Sequence, residues 1–302
     1  MNGPLLQTEL PLPLFIKGKV RDTYRLGDRL LIIATDRISV FDIILPDGIP
    51  DKGSVLNQIS AFWFEKTASI IPNHLIEVVY DPSALDAYLP DSERFDYPDY
   101  LSGRSMVVRQ AERINIEWVV RGYISGSGWA DYRKSGSVFG LTVPSGLQES
   151  QELPEPLFTP TTKAESGHDM PMTMAEGENI LGTERTAEMK EKSLAVYKMA
   201  SEYARERGLI IADTKMEFGV ADGQLILIDE LLTPDSSRFW GIDDYRVGQS
   251  QPSYDKQPVR DWTAATGWNK QPPAPHLTRE VIDATTRRYR EAYSRLTGKE
   301  LV

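Results

Sequence analysis

The chain of 302 residues contains no cysteine. That absence excludes disulfides, thiolate metal sites and a cysteine nucleophile, and it suits a reducing cytosol. Histidine is almost as scarce: His74, His168 and His276 are the only three. They are scattered in sequence, so neither a histidine metal cluster nor a Ser-His-Asp triad is expected, and a solvent-exposed His168 is the default. No apolar run approaches the length of a membrane span. The N-terminal MNGPLLQTELPLPLF, interrupted by Gln, Thr, Glu and prolines, makes a poor secretory signal. Positive charge is in deficit, with 34 Lys and Arg against 44 Asp and Glu and a formal net charge of −10. This balance argues against nucleic acid and membrane surfaces as partners, and it requires a local basic cluster wherever an anionic substrate binds. The P-loop pattern and the H-R-D and D-F-G signatures of protein kinases are also missing.

What remains is an ordinary globular composition, 40% apolar and 26% charged, in a chain long enough for two lobes. Its most informative stretch is LIIADTKMEFGVADGQLILIDELLTPDSSRFW, from Leu209 to Trp240. Residues 209–218 and 224–232 read as strands joined by a turn at Ala221-Asp222-Gly223. Side chains alternate across a strand, so Asp213, Lys215 and Glu217 share one face while Met216 and Phe218 take the other. A turn centred on Asp222 sets Asp229 across from Lys215 and puts Ile226 and Ile228 on the apolar face. Carboxylates gathered so closely repel unless a cation lies among them. Hard oxygen donors without thiolates favour Mg²⁺; the competing reading is a solvated face with a Lys–Asp cross-strand pair. The turn that follows, Thr233 to Arg238, supplies hydroxyls and a guanidinium suited to a phosphorylated ligand.

Elsewhere the pattern predicts α+β, with strands leading and helices following. A small antiparallel sheet is expected over residues 15–50, with a turn at Leu26-Gly27-Asp28. A helix capped by Ser54 should run to about Ile70, and strands are expected at 75–80 and 105–121. Residues 81–103, 122–176 and 241–276 read as loops or insertions. Helices are predicted from Thr183 to Arg207, closed by Gly208, and from Thr278 to Thr297, closed by Gly298. Three further constellations carry chemistry. Gly18-Lys19-Val20-Arg21-Asp22 offers a close backbone approach and two alternating cations, although a plain basic strand explains it equally. Ala34-Thr35-Asp36-Arg37-Ile38-Ser39 reads as an Asx or Ser/Thr turn. Arg121-Gly122-Tyr123-Ile124-Ser125-Gly126-Ser127-Gly128 offers N–H groups, hydroxyls and a fixed cation to a sugar phosphate. The segment Thr159 to Asp169 is expected to be a polar loop.

Taken in order, GKVRDTY, ATDRISVFD, KGSVLNQIS, VVRGYISGSGW, FTPTTKAESGHD, IIADTKMEFG, IDELLTPDSSRFW and SYDKQPVRDW resemble the phosphoribosylaminoimidazole-succinocarboxamide synthase (SAICAR synthetase) family, in its larger, yeast-like form. The resemblance implies an ATP-dependent ligase of purine biosynthesis. It joins the carboxylate of 5-aminoimidazole-4-carboxyribonucleotide to the amine of L-aspartate, through an acyl phosphate and with no nucleophilic side chain. It implies a two-lobed fold: a kinase-like sheet lobe over residues 1–112 and an ATP-grasp-like lobe over 113–302, with nucleotide in the cleft. By motif, Gly18, Lys19, Val20 and Arg21 would lie over the ATP phosphates, and Gln110, Ala111 and Glu112 would meet adenine. Glu217 and Asp229 would hold Mg²⁺, with Asp213, Lys215 and Lys19 as the catalytic set. Arg121, Ser127, Ser237 and Arg238 would bind the ribonucleotide, and Lys163, His168 and Asp169 would lie near the substrate cleft. The implied protein is cytoplasmic, uses ATP and Mg²⁺, and meets small-molecule substrates only, with a monomer as the expected state. A kinase or a non-catalytic nucleotide-binding protein are the alternatives, and dependence on aspartate separates them from the ligase.

Overall fold

The computed structural model describes residues 3–162 and 170–301. The N-terminal part contains β1 (Leu14–Lys17), β2 (Arg21–Leu26), β3 (Arg29–Ala34), a separate hairpin of β4 (Arg37–Val40) and β5 (Ile43–Gly48), helix α1 (Lys52–Thr67), β6 (Leu75–Val79) and β7 (Ser105–Arg109). Its main sheet has the order β1-β2-β3-β7-β6, antiparallel throughout. Three short 3₁₀ turns fill residues 82–101. They bury Leu85, Leu89 and Leu101 against Leu31 and Val107 of the sheet.

The chain leaves this sheet at Gln110-Ala111 and enters the second through the long β8 (Glu112–Tyr123). Then follow α2 (Gly126–Ser135), the short strands β9 (Ser137–Val138) and β10 (Leu141–Thr142), β11 (Glu152–Thr162), α3 (Met174–Leu181) and α4 (Thr183–Arg205). After these come β12 (Leu209–Ala221), β13 (Gln224–Ile228), β14 (Ser237–Gly241), α5 (Gln257–Ala265) and α6 (Arg279–Thr297). The second sheet runs β11-β8-β12-β13, with β14 also on β12.

One core joins the two sheets. Alternation along β12 sends Met216 and Phe218 into a cluster with Trp118 and Val120 of β8, Trp63 and Phe64 of α1, Val196 and Ala200 of α4, and Tyr289 and Leu296 of α6. Burying each of the large side chains is worth about 1.5–3 kcal/mol. Three helices thereby fix the two sheets against each other. No helix among the described residues is long and apolar enough to cross a membrane.

Several expectations need correction. Helix α1 begins at Lys52, so Ser54 is a buried first-turn residue; the cap position is Asp51, left-handed with φ 66 and without a side-chain cap bond. The expected loop 122–176 holds α2, α3 and the eleven-residue β11. Its prolines disguised that strand. Pro154 and Pro156 occupy the register irregularity between Glu152 and Leu157, and proline is tolerated on an edge strand, where its N–H is not required. Helix α5 lies inside the expected loop 241–276, with Pro258 in its first turn. Helix α4 ends at Arg205, two residues early, and Gly208 at φ 73 turns the chain out. Helix α6 matches its expected limits, capped by Thr278 and closed by Gly298 at φ 70.

Candidate functional site

The β12–β13 hairpin closes through two residues, Asp222 and Gly223, at φ 52 and 76. Both sit in the left-handed region that a type I′ turn demands and that matches strand twist. Pairing therefore runs from Ala221↔Gln224 to Glu217↔Ile228, one residue away from the register of a turn centred on Asp222. The slip has two consequences. Leu225 and Leu227, not Ile226 and Ile228, join the apolar face. Asp229 does not pair across from Lys215; β13 stops at Ile228 and Asp229 turns left-handed at φ 69.

That turn aims Asp229 at the N-terminal lobe. Arg21 on β2 places one guanidinium nitrogen 2.7 Å from the Asp229 carboxylate and the other 3.4 Å from Glu230. Burial alone would lower the Arg21 pKa, but Asp229, Glu230, Glu217 and Asp235 outweigh it and hold the group above its ordinary value. On the other side of the hairpin face, Lys215 Nζ lies 2.6 Å from Glu117 and 3.4 Å from Glu217. Burial works against its charge, yet Glu217, Glu117 and Asp229 together raise its pKa. Glu117 and Glu217 stand directly opposite on β8 and β12, a like-charge pair that is destabilising unless a cation bridges it. Lys215 is that cation.

The third cluster is the Arg121–Asp213–Arg238 triad. Asp213 accepts from both guanidiniums, Arg121 at 3.4 Å and Arg238 more closely. Burial lowers the Arg121 pKa, opposed by Asp213 and reinforced by Arg238, whereas Asp213 raises that of Arg238 against burial. Both arginines face the N-terminus of α2. Ser127 Oγ is 3.4 Å from Arg121, and Gly126 sits at φ +53 where an added Cβ would run into the Arg238 guanidinium. Ser125, the N-cap, is buried and its Oγ has no hydrogen-bond partner among the described residues. Four N-terminal amides of a helix lack intrahelical partners, so this corner combines N–H donors, a spare hydroxyl and two fixed cations. Phe139 backs the Arg121 guanidinium at 5.3 Å, and Ser237 donates to Thr214 Oγ1 at 2.8 Å.

The remaining expected residues are placed as follows. Gly18 forms a tight turn, its N–H donating to Arg21 O at 2.7 Å. The Val20 carbonyl accepts from Thr35, and Lys19 is half-exposed and pairs with Asp42. Gln110 and Ala111 form the strandless link between the sheets and Glu112 opens β8. A Cβ on Gly219 would sit 3.0 Å from Ala111 and 3.3 Å from Ile228, so link and hairpin meet closely. Lys163, His168 and Asp169 lie outside the described residues.

Sequence reasoning missed Glu117 and Phe139, whereas Ser125 lies in the glycine- and serine-rich segment it singled out. Glu117 had a signal: counting back by twos from Arg121 along Glu117-Trp118-Val119-Val120-Arg121 reaches it. Phe139 had none, because only tertiary packing brings it to the site. Among the described residues no group of three or more His, Asp or Glu is arranged as a metal cage. Glu217 and Asp229 instead act jointly on the same two cations, Arg21 and Lys215. A cavity of about 520 Å³ against α4 and the proline-bearing half of β11, lined by Tyr123, Glu152, Tyr197 and Arg205, includes none of the expected site residues.

The sequence matches the SAICAR synthetase family model over residues 14–275. It is 51% identical over 301 residues to the phosphoribosylaminoimidazole-succinocarboxamide synthase of Thermodesulfovibrio yellowstonii, covering 99% of this chain and 100% of that protein. It is also 51% identical over 300 residues to the same-named protein of Desulfosudis oleivorans, with 99% and 100% covered. Among solved structures, SAICAR synthase from Saccharomyces cerevisiae complexed with SAICAR superposes with a TM-score of 0.88 at 42% identity, covering 98% of this chain and 99% of that one. A SAICAR synthetase (Type-2) in complex with ADP shares the fold at a TM-score of 0.68 and 22% identity, over 95% and 98% of the two chains.

Proposed function

The chain belongs to the SAICAR synthetase family, and from that premise we propose how its own residues divide the work of the reaction. The enzyme is an ATP-dependent ligase of purine biosynthesis that joins 5-aminoimidazole-4-carboxyribonucleotide to L-aspartate. A carboxylate is a poor electrophile, and amide formation from it is uphill in water. We assign the reaction to two steps. A carboxylate oxygen attacks the γ-phosphorus of ATP and the bond to the β-phosphate oxygen breaks, giving an acyl phosphate and ADP. The aspartate amine then attacks the acyl carbon, the carbon–oxygen bond to phosphate breaks, and the amine proton passes to phosphate or solvent. Such chemistry needs alignment and charge neutralisation more than a protein nucleophile.

One observation supports the division above the rest: four of the candidate cations are held by carboxylates of the same site, Arg21 by Asp229, Lys215 by Glu117 and Glu217, and Arg121 with Arg238 by Asp213. Phosphates entering the site meet cations that are already oriented and largely desolvated, so the cations need little further reorganisation. Gly18, Lys19, Val20 and Arg21 are assigned to the ATP phosphates, and Gln110, Ala111 and Glu112 to adenine. Lys215 neutralises charge where the two substrates meet, and Asp213 keeps the two arginines in place. Arg121, Ser127, Ser237 and Arg238, at the head of α2, take the ribonucleotide phosphate, since guanidiniums and helix amides are matched to phosphate oxygens. Lys163, His168 and Asp169 stay assigned by motif to the substrate side.

Glu217 and Asp229 are hard oxygen donors that act on the same two cations, and such donors suit Mg²⁺, which takes one or two carboxylates and fills its shell with phosphate oxygens. Bound there, the ion would screen the charge of the transferring phosphoryl group. The division into lobes at residues 1–112 and 113–302, a cytoplasmic location and a monomeric state complete the reading.

The test is ADP release with Mg²⁺, ATP, the carboxyribonucleotide and L-aspartate, each omitted in turn. Release that needs all four and yields the succinocarboxamide is the expected result. Release indifferent to aspartate would instead mark a kinase or ATPase on this scaffold.

A further inference from the structure

The turn between β1 and β2 is held by one side chain of the separate β4–β5 hairpin. Arg37, on β4, is buried, and each N–H of its guanidinium has a partner. Nε donates to the Lys19 carbonyl at 3.0 Å, and Nη2 donates to the Gly18 carbonyl at 3.0 Å. Nη2 also donates to the Asp22 carboxylate at 2.7 Å. Nη1 donates to the same carboxylate at 3.1 Å and to the Leu6 carbonyl at 2.9 Å. One edge of the planar fork thus meets a carboxylate, and another meets two successive carbonyls of the turn. A buried ion pair with Asp22 would account for the charge of Arg37 by itself. The bonds to Gly18 and Lys19 are additional, and they act on the backbone.

The direction of those carbonyls decides where the amides face. Across a trans peptide the C=O and the N–H point opposite ways. With the Gly18 and Lys19 oxygens turned onto Arg37, the N–H groups of Lys19 and Val20 point away from it. The Val20 carbonyl is taken in turn by Thr35, through its N–H at 2.9 Å and its Oγ1 at 2.8 Å. Successive side chains of a strand take opposite faces. Asp22, which holds Arg37, and Arg21, which reaches Asp229 at 2.7 Å, therefore lie on opposite faces of β2. Amides turned away from Arg37 point to the face of Arg21. Adjacent N–H groups on one side of a tight turn make a concave site for an anion.

We propose that Arg37 is a positioning residue for nucleotide binding: by clamping the Gly18 and Lys19 carbonyls on one face of β2, it presets the Lys19 and Val20 amides toward the ATP phosphates on the other. The inference rests on the assignment of Gly18 to Arg21 to those phosphates. Donors fixed before the ligand arrives need no reorganisation when it binds. Without the clamp the peptides of the turn can rotate, and the nucleotide itself has to order them. The clamp acts on the turn alone, so its loss falls on the phosphates and spares the adenine link at Gln110, Ala111 and Glu112.

The experiment measures, on the full chain, the dissociation constants of ADP with Mg²⁺ and of adenosine for the wild type, Arg37→Met and Arg37→Lys. It also follows the Lys19 and Val20 amide proton resonances as each ligand is added. Lysine keeps a positive charge beside Asp22 but, as a point charge, cannot span two carbonyls as the guanidinium fork does. Expected in both variants is an approximately ten-fold or larger weakening of ADP, the scale of one charge-assisted hydrogen bond. The adenosine constant should stay within about two-fold of wild type, since adenosine carries no phosphate for the turn to hold. In the wild type both amide resonances should move downfield with ADP and not with adenosine, and in the variants that shift should shrink. Wild-type ADP affinity in Arg37→Lys overturns the inference, because a charge would then serve without the fork. So does equal weakening of ADP and adenosine, which would mark a general loss of structure in the lobe. If Arg37→Met does not fold, Arg37→Lys decides by the same two constants. The wild-type spectra test the premise separately: no phosphate-dependent shift at Lys19 and Val20 removes the assignment of the turn to ATP, and the inference with it. A normal shift there, with unaltered ADP affinity in the variants, removes only the role of Arg37.

Discussion

Lys215 stands between two glutamates that face each other across neighbouring strands, 2.6 Å from Glu117 and 3.4 Å from Glu217. Glu217 and Glu117 favour its charged form against burial, which suits the electrostatic role proposed for it. Replacing it with Met should lower kcat by about 10² or more, the scale for losing one preorganised charge-stabilising donor. The ribonucleotide KM should stay near wild type, because Arg121 and Arg238 remain. Steady-state kinetics with the ribonucleotide varied checks this; a KM effect without a kcat effect would contradict the role. Arg121 gives the converse case. Truncation to Ala removes a charge-assisted contact worth about 1.5–3 kcal/mol, so the ribonucleotide KM should rise about 10–150-fold with the Mg²⁺ requirement unchanged. Gly126→Ala should move the same constant in the same direction, since a Cβ there displaces the Arg238 guanidinium. Asp213, Lys215 and Glu217 share one face of β12, with Arg121 and Glu117 opposite the first and last of them on β8, and this much was legible because side-chain direction along a strand is local geometry. Phe139 escaped because its contact with Arg121 is made only by tertiary packing.

Elements were legible where their ends are written in residue chemistry. Thr278 and Gly298 bracket α6 as a cap and a left-handed stop, and both are readable without the fold. The hairpin register was not, because it hinges on whether Ala221 belongs to the turn or to the strand, and both satisfy the same composition. The answer is the two-residue turn, whose twist matches the strands it joins. One residue of slip moves every β13 side chain to the other face, which is why Leu225 and Leu227, and not Ile226 and Ile228, join the cluster around Met216 and Phe218. Gly223 at φ 76 therefore carries the register. Gly223→Ala should cost about 1–2 kcal/mol through the left-handed strain on a Cβ-bearing residue, read as a lowered urea midpoint at unchanged m-value, with substrate constants close to wild type. A change in substrate constants would mean that the register itself had shifted. Strand β11 was illegible for the opposite reason: its prolines are usually strand-breakers, and only an edge position with an irregular register accommodates them.

At the scale of the whole molecule the two lobes are joined by a buried charge cluster as well as by the shared core. Lys52 of α1 lies 2.8 Å from Asp235 and Lys256 lies 3.7 Å from it, while Tyr289 of α6 donates to the same carboxylate at 2.5 Å. Asp235 thus ties the N-terminal helix, the C-terminal helix and the turn that carries Ser237 and Arg238. Burial by itself would raise the Asp235 pKa, but Lys256, Lys52 and Tyr289 overcome it and hold the carboxyl well below the usual range. The sign of the linkage follows. Because the folded pKa lies below the unfolded value near 4, only the unfolded chain takes up the proton as acid is added. The contribution of Asp235 is therefore fully present above about pH 4 and is lost as the pH falls below it. Asp235→Asn leaves Lys52 buried without its counter-charge, a loss of about 3–5 kcal/mol at neutral pH. Urea unfolding of the wild type and the variant at pH 7, 5 and 3.5 measures the gap: it should be equal at pH 7 and 5 and narrower at 3.5. A gap that stays constant across all three values would show that Asp235 acts through packing and not through its charge.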